Sequence, residues 1–213
     1  MTKKVFWEDP YQTQLSTRVA RVENEEIMLE ETIFYAFSGG QESDAGTIGG
    51  YPVISAAKHG LDIVYTLPVD HGLQPGQPVK VRIDWSRRYR LMRLHFAAEM
   101  VLQLVYKHAP GIERIGAHIS DDKARIDFAR EGNISALFPT IENEAAALIA
   151  ADHAIITAFE DEERQYRYWE VVGFSRMPCG GTHPHSTAEI GSIKLKRRNT
   201  GKGKERIEIM LGA

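Results

Sequence analysis

From Arg88 to about His108 the apolar residues Leu91, Leu94, Ala98, Leu102 and Val105 recur at helical spacing, and Pro110 with Gly111 stops the run. This feature constrains the fold most, because an apolar stripe of that length has to be covered by other structure. Before it, no long segment of residues 1 to 86 has a helical period. TRVARV alternates, EEIMLEETIFYAF is a hydrophobic run of strand character, and DIVYTLPV and QPVKVRIDW repeat the pattern around turns such as HGLQPGQ. The period changes near Asp84. The reading is a small, glycine-rich β-barrel-like domain over residues 1–84, followed by an α+β domain over 85–213. In the latter, RIGAHISDDKARIDFA predicts a hairpin and TIENEAAALIAADHA a short helix capped by Thr140. AIITAFEDEERQYRYWEVVGF predicts two strands and EIGSIKLKRRNTGKGKERIEIML a closing hairpin, giving an antiparallel sheet packed on the long helix.

The chain's only cysteine, Cys179, stands four residues before His183 in RMPCGGTHPHSTAEIG. A thiolate and an imidazole with Gly180 and Gly181 between them supply one arm of a tetrahedral zinc site. The competing reading is a small buried hydrophobe. The flanking glycines and Pro184 mark a turn, a poor place for a core cysteine. For a second arm, His95 and Glu99 lie at i and i+4 on the helix and share one face. Each also has a structural reading, His95 as a core histidine and Glu99 as an arginine's partner. His185 is a nearby imidazole, read here as surface-exposed.

A lone cysteine excludes an internal disulfide framework and fits a reducing compartment. The start MTKKVFWEDP has no apolar core of a signal peptide, and no run is long enough to cross a bilayer, so a cytoplasmic location is expected. Net charge is −3, yet cations cluster: Arg87, Arg88, Arg90 and Arg93 form one group. Lys194, Lys196, Arg197, Arg198, Lys202, Lys204 and Arg206 form another, against Glu205 alone. Such clusters neutralise phosphates when they are not simply solvated faces.

Residues 38–50, SGGQESDAGTIGG, hold five glycines but fit neither a P-loop nor GxGxxG. The segment reads as a multi-turn connection or as a loop bringing backbone close to a ligand, with Gln41 and Asp44 its polar candidates. Thr32, on the strand before it, could place a hydroxyl in a cleft, although threonine is frequent in strands for β-propensity alone.

HFAAE at 95–99, CGGTHPHSTAEIGSIKL at 179–195, TIFYAFSGGQESDAG at 32–46 and DWSRRYRLMRLH at 84–95 together resemble the editing domain of alanyl-tRNA synthetases. The closer resemblance is to the free-standing AlaX family. It implies one zinc ion held by His95, Cys179, His183 and the residue at 99, where the family usually has a second histidine and this chain has Glu99. It further implies hydrolysis of the ester of alanine tRNA mischarged with serine or glycine. Thr32 would sense the serine hydroxyl and Gln41 hold the substrate. Arg88, Arg93, Lys196, Arg197 and Arg198 would follow acceptor-stem phosphates. A carboxylate beside the thiolate makes the metal a weaker Lewis acid. The rival reading is a degenerate editing fold that binds RNA or a protein, with a structural metal or none; a small-molecule metallohydrolase ranks third. A zinc deaminase is excluded, since neither HxE nor PCxxC is present.

Overall fold

The structure is a computed structural model describing residues 1–201 and 203–212, so that Lys202 of the basic cluster lies outside the described residues. Two compact units, Met1–Tyr89 and Arg90–Ala213, account for the chain.

The first unit is built from β1 (Lys3–Lys4), β2 (Gln14–Glu23), β3 (Glu26–Leu29), β4 (Glu31–Thr32), β5 (Gly46–Ile48), β6 (Tyr51–Pro52), β7 (Ser55–His59), β8 (Asp62–Thr66) and β9 (Pro78–Ile83). Seven of them form one antiparallel sheet in the order β6-β5-β9-β2-β3-β8-β7, while β1 and β4 pair in parallel. The long β2 joins the two halves: Gln14–Arg18 pair with β9, and beyond a register shift at Val19/Arg21 the strand pairs with β3. Such an irregularity bends the strand and increases its twist, which curls the sheet into a half-barrel. Alternation places Val79, Val81 and Ile83 of β9 in a core with Val19, Ile27, Leu29 and Tyr65. Gly46 is required where β5 meets β9, since a Cβ there would lie 2.1 Å from the Arg82 carbonyl oxygen.

EEIMLEETIFYAF is not one strand. After β4, Ile33–Ala36 are buried outside any ladder, and side chains satisfy their backbone instead. The Phe34 N–H donates to Thr32 Oγ1 at 3.0 Å, the Tyr35 N–H to Asp44 Oδ2 at 2.7 Å, and Arg88 Nη2 to the Ile33 carbonyl at 2.5 Å.

Helix α1 (Trp85–His108) begins in the first unit and supplies the core of the second. There it is joined by β10 (Glu113–Ile119), β11 (Ala124–Ala129), α2 (Phe138–Ala150), β12 (Ile156–Asp161), β13 (Tyr166–Val171), β14 (Ser175–Pro178), β15 (Ile193–Gly201) and β16 (Lys204–Leu211). These strands make two antiparallel sheets rather than one, β10-β11-β16-β15 and β12-β13-β14. Ile126, Phe128, Ile207 and Ile209 of the first sheet and Trp169 and Val171 of the second share one core with Leu91 to Val105 of α1. Enclosure by two sheets explains why Phe96, Met100 and Leu104, off the stripe seen in the sequence, are also buried. Thr140 is not a cap. A 3-10 turn, Ile134–Leu137, runs directly into α2, and the capping side chain is Asn133, which accepts the Ser135 N–H at 2.9 Å. Among the described residues no helix is long and apolar enough to cross a membrane.

Candidate metal centre

Within the second unit α1 carries His95 and Glu99, both buried. The segment after β14 carries Cys179 and His183. Its course is fixed by the Cys179 N–H, which donates to the Arg167 carbonyl on β13 at 2.8 Å, and by a capping box in which Ser186 and Glu189 open the 3-10 turn Thr187–Ile190. Gly181 donates its N–H to Cys179 Sγ at 3.3 Å, a contact a curled backbone allows.

These residues, 84 apart in sequence at two pairings, meet at one point. His95 Nε2 is 3.3 Å from Cys179 Sγ and 3.2 Å from Glu99 Oε1, and His183 Nε2 is 2.9 Å from Glu99 Oε2. One donor atom from each of the four lies within 4.8 Å of the others. Zinc bonds of about 2.0–2.3 Å separate tetrahedral donors by a little under 4 Å, so the set suits one such ion. The two imidazoles meet edge to face at 5.0 Å, Phe96 packs on His183 at 5.8 Å, and Trp169 on Phe96 at 4.9 Å. A dry aromatic wall thus backs the donors.

The electrostatics also suit a cation. Burial by itself would raise the Glu99 carboxyl, but His95 and the hydrogen bonds from both imidazoles outweigh it and hold the carboxyl well below the usual range. Burial pushes the Cys179 thiol well up, with Glu99 adding to it, and burial draws His183 down. A carboxylate beside a thiol that resists ionisation is a poor arrangement by itself; a divalent ion compensates both anionic donors. His183 Nδ1 is buried and has no hydrogen-bond partner among the described residues; were Nε2 to hold a metal, Nδ1 would carry the ring proton.

Sequence reasoning missed Arg167. It is buried on β13, on the face it shares with Trp169 and Val171, its guanidinium 4.9 Å over the Phe159 ring and its Nη2 donating to Thr157 Oγ1 at 3.3 Å. Burial lowers it to about 10, and its charge in turn eases ionisation of Cys179. The only sequence signal was its alternation with Trp169 and Val171 in YRYWEV.

Other candidates fall elsewhere. His185 is exposed and lies outside the donor cluster. In the first unit Thr32 is fully buried, its hydroxyl 2.7 Å from the Tyr65 hydroxyl, and Gln41 is buried in a tight turn through Gly39 and Gly40, its N–H donating to the Ser38 carbonyl at 3.0 Å. Arg88 corrects the sequence reading. It is 0% exposed and committed to Asp44, the Pro10 carbonyl and the Ile33 carbonyl, so it cannot follow RNA phosphates. Arg197, 32% exposed at the side chain, forks onto the buried Glu205 at 2.5 and 2.6 Å. Arg93 donates from Nε and Nη2 to the Ile190 carbonyl at 3.1 and 2.8 Å, bracing the turn beyond His183. Lys196 and Arg198 are exposed.

The α+β unit thus brings together His95 and Glu99 from a long helix and Cys179 and His183 from the loop after β14. Residues 166–208 match the family described as the threonyl and alanyl tRNA synthetase second additional domain. The chain is 32% identical over 216 residues to the alanyl-tRNA editing protein AlaX-M of Pyrococcus horikoshii, covering 99% of this chain and 98% of that protein. It is 32% identical to the AlaX-M protein of Saccharolobus solfataricus, over 97% of this chain and 98% of that one. Against the alanine--tRNA ligase of Ignicoccus hospitalis it is 31% identical over 99% of this chain, but over only 26% of the ligase. The chain belongs to the AlaX family of alanyl-tRNA editing proteins.

Proposed function

We propose that this protein is a trans-editing hydrolase that frees alanine tRNA of wrongly attached serine, and of glycine, by metal-assisted hydrolysis of the aminoacyl ester in the cytoplasm. The observation that carries the reading is the convergence of His95, Glu99, Cys179 and His183 on one point against an aromatic wall. Those four side chains would hold one zinc ion, which when bound supplies Lewis-acid polarisation of the aminoacyl end. Glu99 Oε1 and Oε2 lie 3.2 and 2.9 Å from Nε2 of His95 and of His183, so the carboxylate and both rings face the same point. Phe96 and Trp169 exclude water from behind the donors, so charge developing on the ester oxygen is poorly screened and responds strongly to nearby cations. Arg167 adds a fixed positive charge beside Cys179 and offsets part of the negative charge that the carboxylate ligand brings.

The amino-acid preference is assigned to Thr32 and the holding of substrate to Gln41, on the strength of their places in TIFYAFSGGQ. Thr32 Oγ1 already accepts from Phe34 N–H and shares one hydrogen bond with Tyr65, so its orientation is fixed and it has one bonding position left. A hydroxyl-reading site penalises alanine, which leaves that position unfilled.

Chelation tests the reading. Protein stripped of metal should lose at least about 100-fold in hydrolysis of serine from alanine tRNA and regain it with stoichiometric zinc. Hydrolysis unmoved by complete metal removal would contradict it, and tight metal without any hydrolysis would leave an RNA-binding module with a structural ion.

A further inference from the structure

The sheet β10-β11-β16-β15 has two unlike faces. Its inner side chains, Ile126, Phe128, Ile207 and Ile209, belong to the core that holds α1 and hence the helix bearing His95 and Glu99. On the outer side, alternation along β11, β15 and β16 presents Arg125, Lys194, Lys196, Arg198, Lys204 and Arg206. Among the described residues of these three strands the carboxylates on this side are Asp127 and Glu208, with Glu113 farther off on the edge strand β10, in a chain whose net charge is −3.

Both carboxylates are already shared. Asp127 pairs with Arg125 and Arg206, and Glu208 with Lys123 and Arg198. Lys194, Lys196 and Lys204, all exposed, have no ion-pair partner among the described residues. Arg198 also stands directly across from Arg206, and like charges at paired strand positions repel. A sequence that keeps this arrangement on a sheet face is suited to an outside polyanion. Lys194, Lys196 and Arg198 repeat every second residue along β15, roughly 7 Å apart, which is the scale of phosphate spacing along a nucleic-acid strand.

We propose that this outer sheet face binds the phosphate backbone of RNA. The stretch bound lies away from the aminoacyl end, because the donor cluster belongs to the helix on the inner side of the same sheet. The choice of RNA among polyanions rests on the editing reading. Arg197, whose guanidinium is turned to Glu205, takes no part.

The test is the affinity of the full chain for uncharged alanine tRNA over a salt series, comparing wild type with Lys194→Glu/Lys196→Glu/Lys204→Glu. Lys58→Glu/Lys80→Glu/Arg82→Glu, exposed positions of the first unit, makes the same change in charge as a control. At about 0.1 M salt the sheet variant should bind at least about 10-fold more weakly, with the log–log salt slope shallower by about 2–3, while the control stays within about twofold. Equal binding by wild type and sheet variant, or equal weakening by both variants, would overturn the proposal. Should melting show the triple variant unfolded, Lys196→Glu alone decides, with an expected slope change of about 1. Wild-type hydrolysis of a serine ester of adenosine, which has no backbone to bind, reports on the editing reading separately.

Discussion

Replacing Cys179 by serine is expected to cut zinc affinity by well over 100-fold and to lower hydrolysis of serine-charged alanine tRNA at least as far. Outlying partners of a metal ligand already contribute about 10–100-fold, and this change removes an anionic ligand outright. A serine hydroxyl does not ionise at neutral pH and cannot replace the soft thiolate. It also leaves Glu99 as the sole anionic donor facing His95 and His183. The fold should survive, because the backbone N–H of residue 179 still donates to the Arg167 carbonyl and serine has nearly the shape of cysteine. Competition with a chromogenic chelator gives the affinity, and melting in excess chelator shows that the variant is folded. Wild-type zinc affinity in the variant would remove Cys179 from the ligand set.

Arg88→Met should destabilise the first unit by about 3–5 kcal/mol, the usual result of removing one partner of a buried ion pair. Arg88 and Asp44 are each 0% exposed at the side chain, and the guanidinium also serves the Pro10 and Ile33 carbonyls. Without it the Asp44 carboxylate keeps the Tyr35 N–H and loses its counter-charge. The Ile33 carbonyl, in a segment with no ladder, also loses its donor. Adding Asp44→Asn should recover part of the loss, since a neutral amide is cheaper to bury than an unpaired charge. Urea unfolding of the three proteins measures this. A loss below about 1 kcal/mol for Arg88→Met would return Arg88 to the solvated arginines around it.

The contrast between Arg88 and its neighbours shows where the sequence was silent. In DWSRRYR nothing separates Arg87, Arg88 and Arg90; the partner that buries one of them is Asp44, 44 residues away. Helix α1 was legible because Leu91, Leu94, Ala98, Leu102 and Val105 keep its period. Its enclosure by a second sheet was not, since Phe96 and Met100 acquire meaning only when Trp169 packs there. The hairpins of β10–β11 and β15–β16 were readable from alternation around polar turns. The α2 cap was not, because a 3-10 turn placed Asn133 where Thr140 was expected. For the candidate metal centre, the pairs His95/Glu99 and Cys179/His183 were visible by local spacing. That they face each other follows from β13 drawing Cys179 in through Arg167, a residue that local spacing gave no reason to select.

Selective removal of the wrong amino acid is measured by a pair of rates. Purified, zinc-loaded protein is given alanine tRNA charged with serine and, separately, with alanine, and the two first-order rates of ester loss are compared. Serine should be lost fast and alanine spared by at least about 100-fold, the discrimination expected of a site that hydrogen-bonds the hydroxyl. Equal rates for the two esters, or no hydrolysis of either by folded, metal-loaded protein, would contradict it.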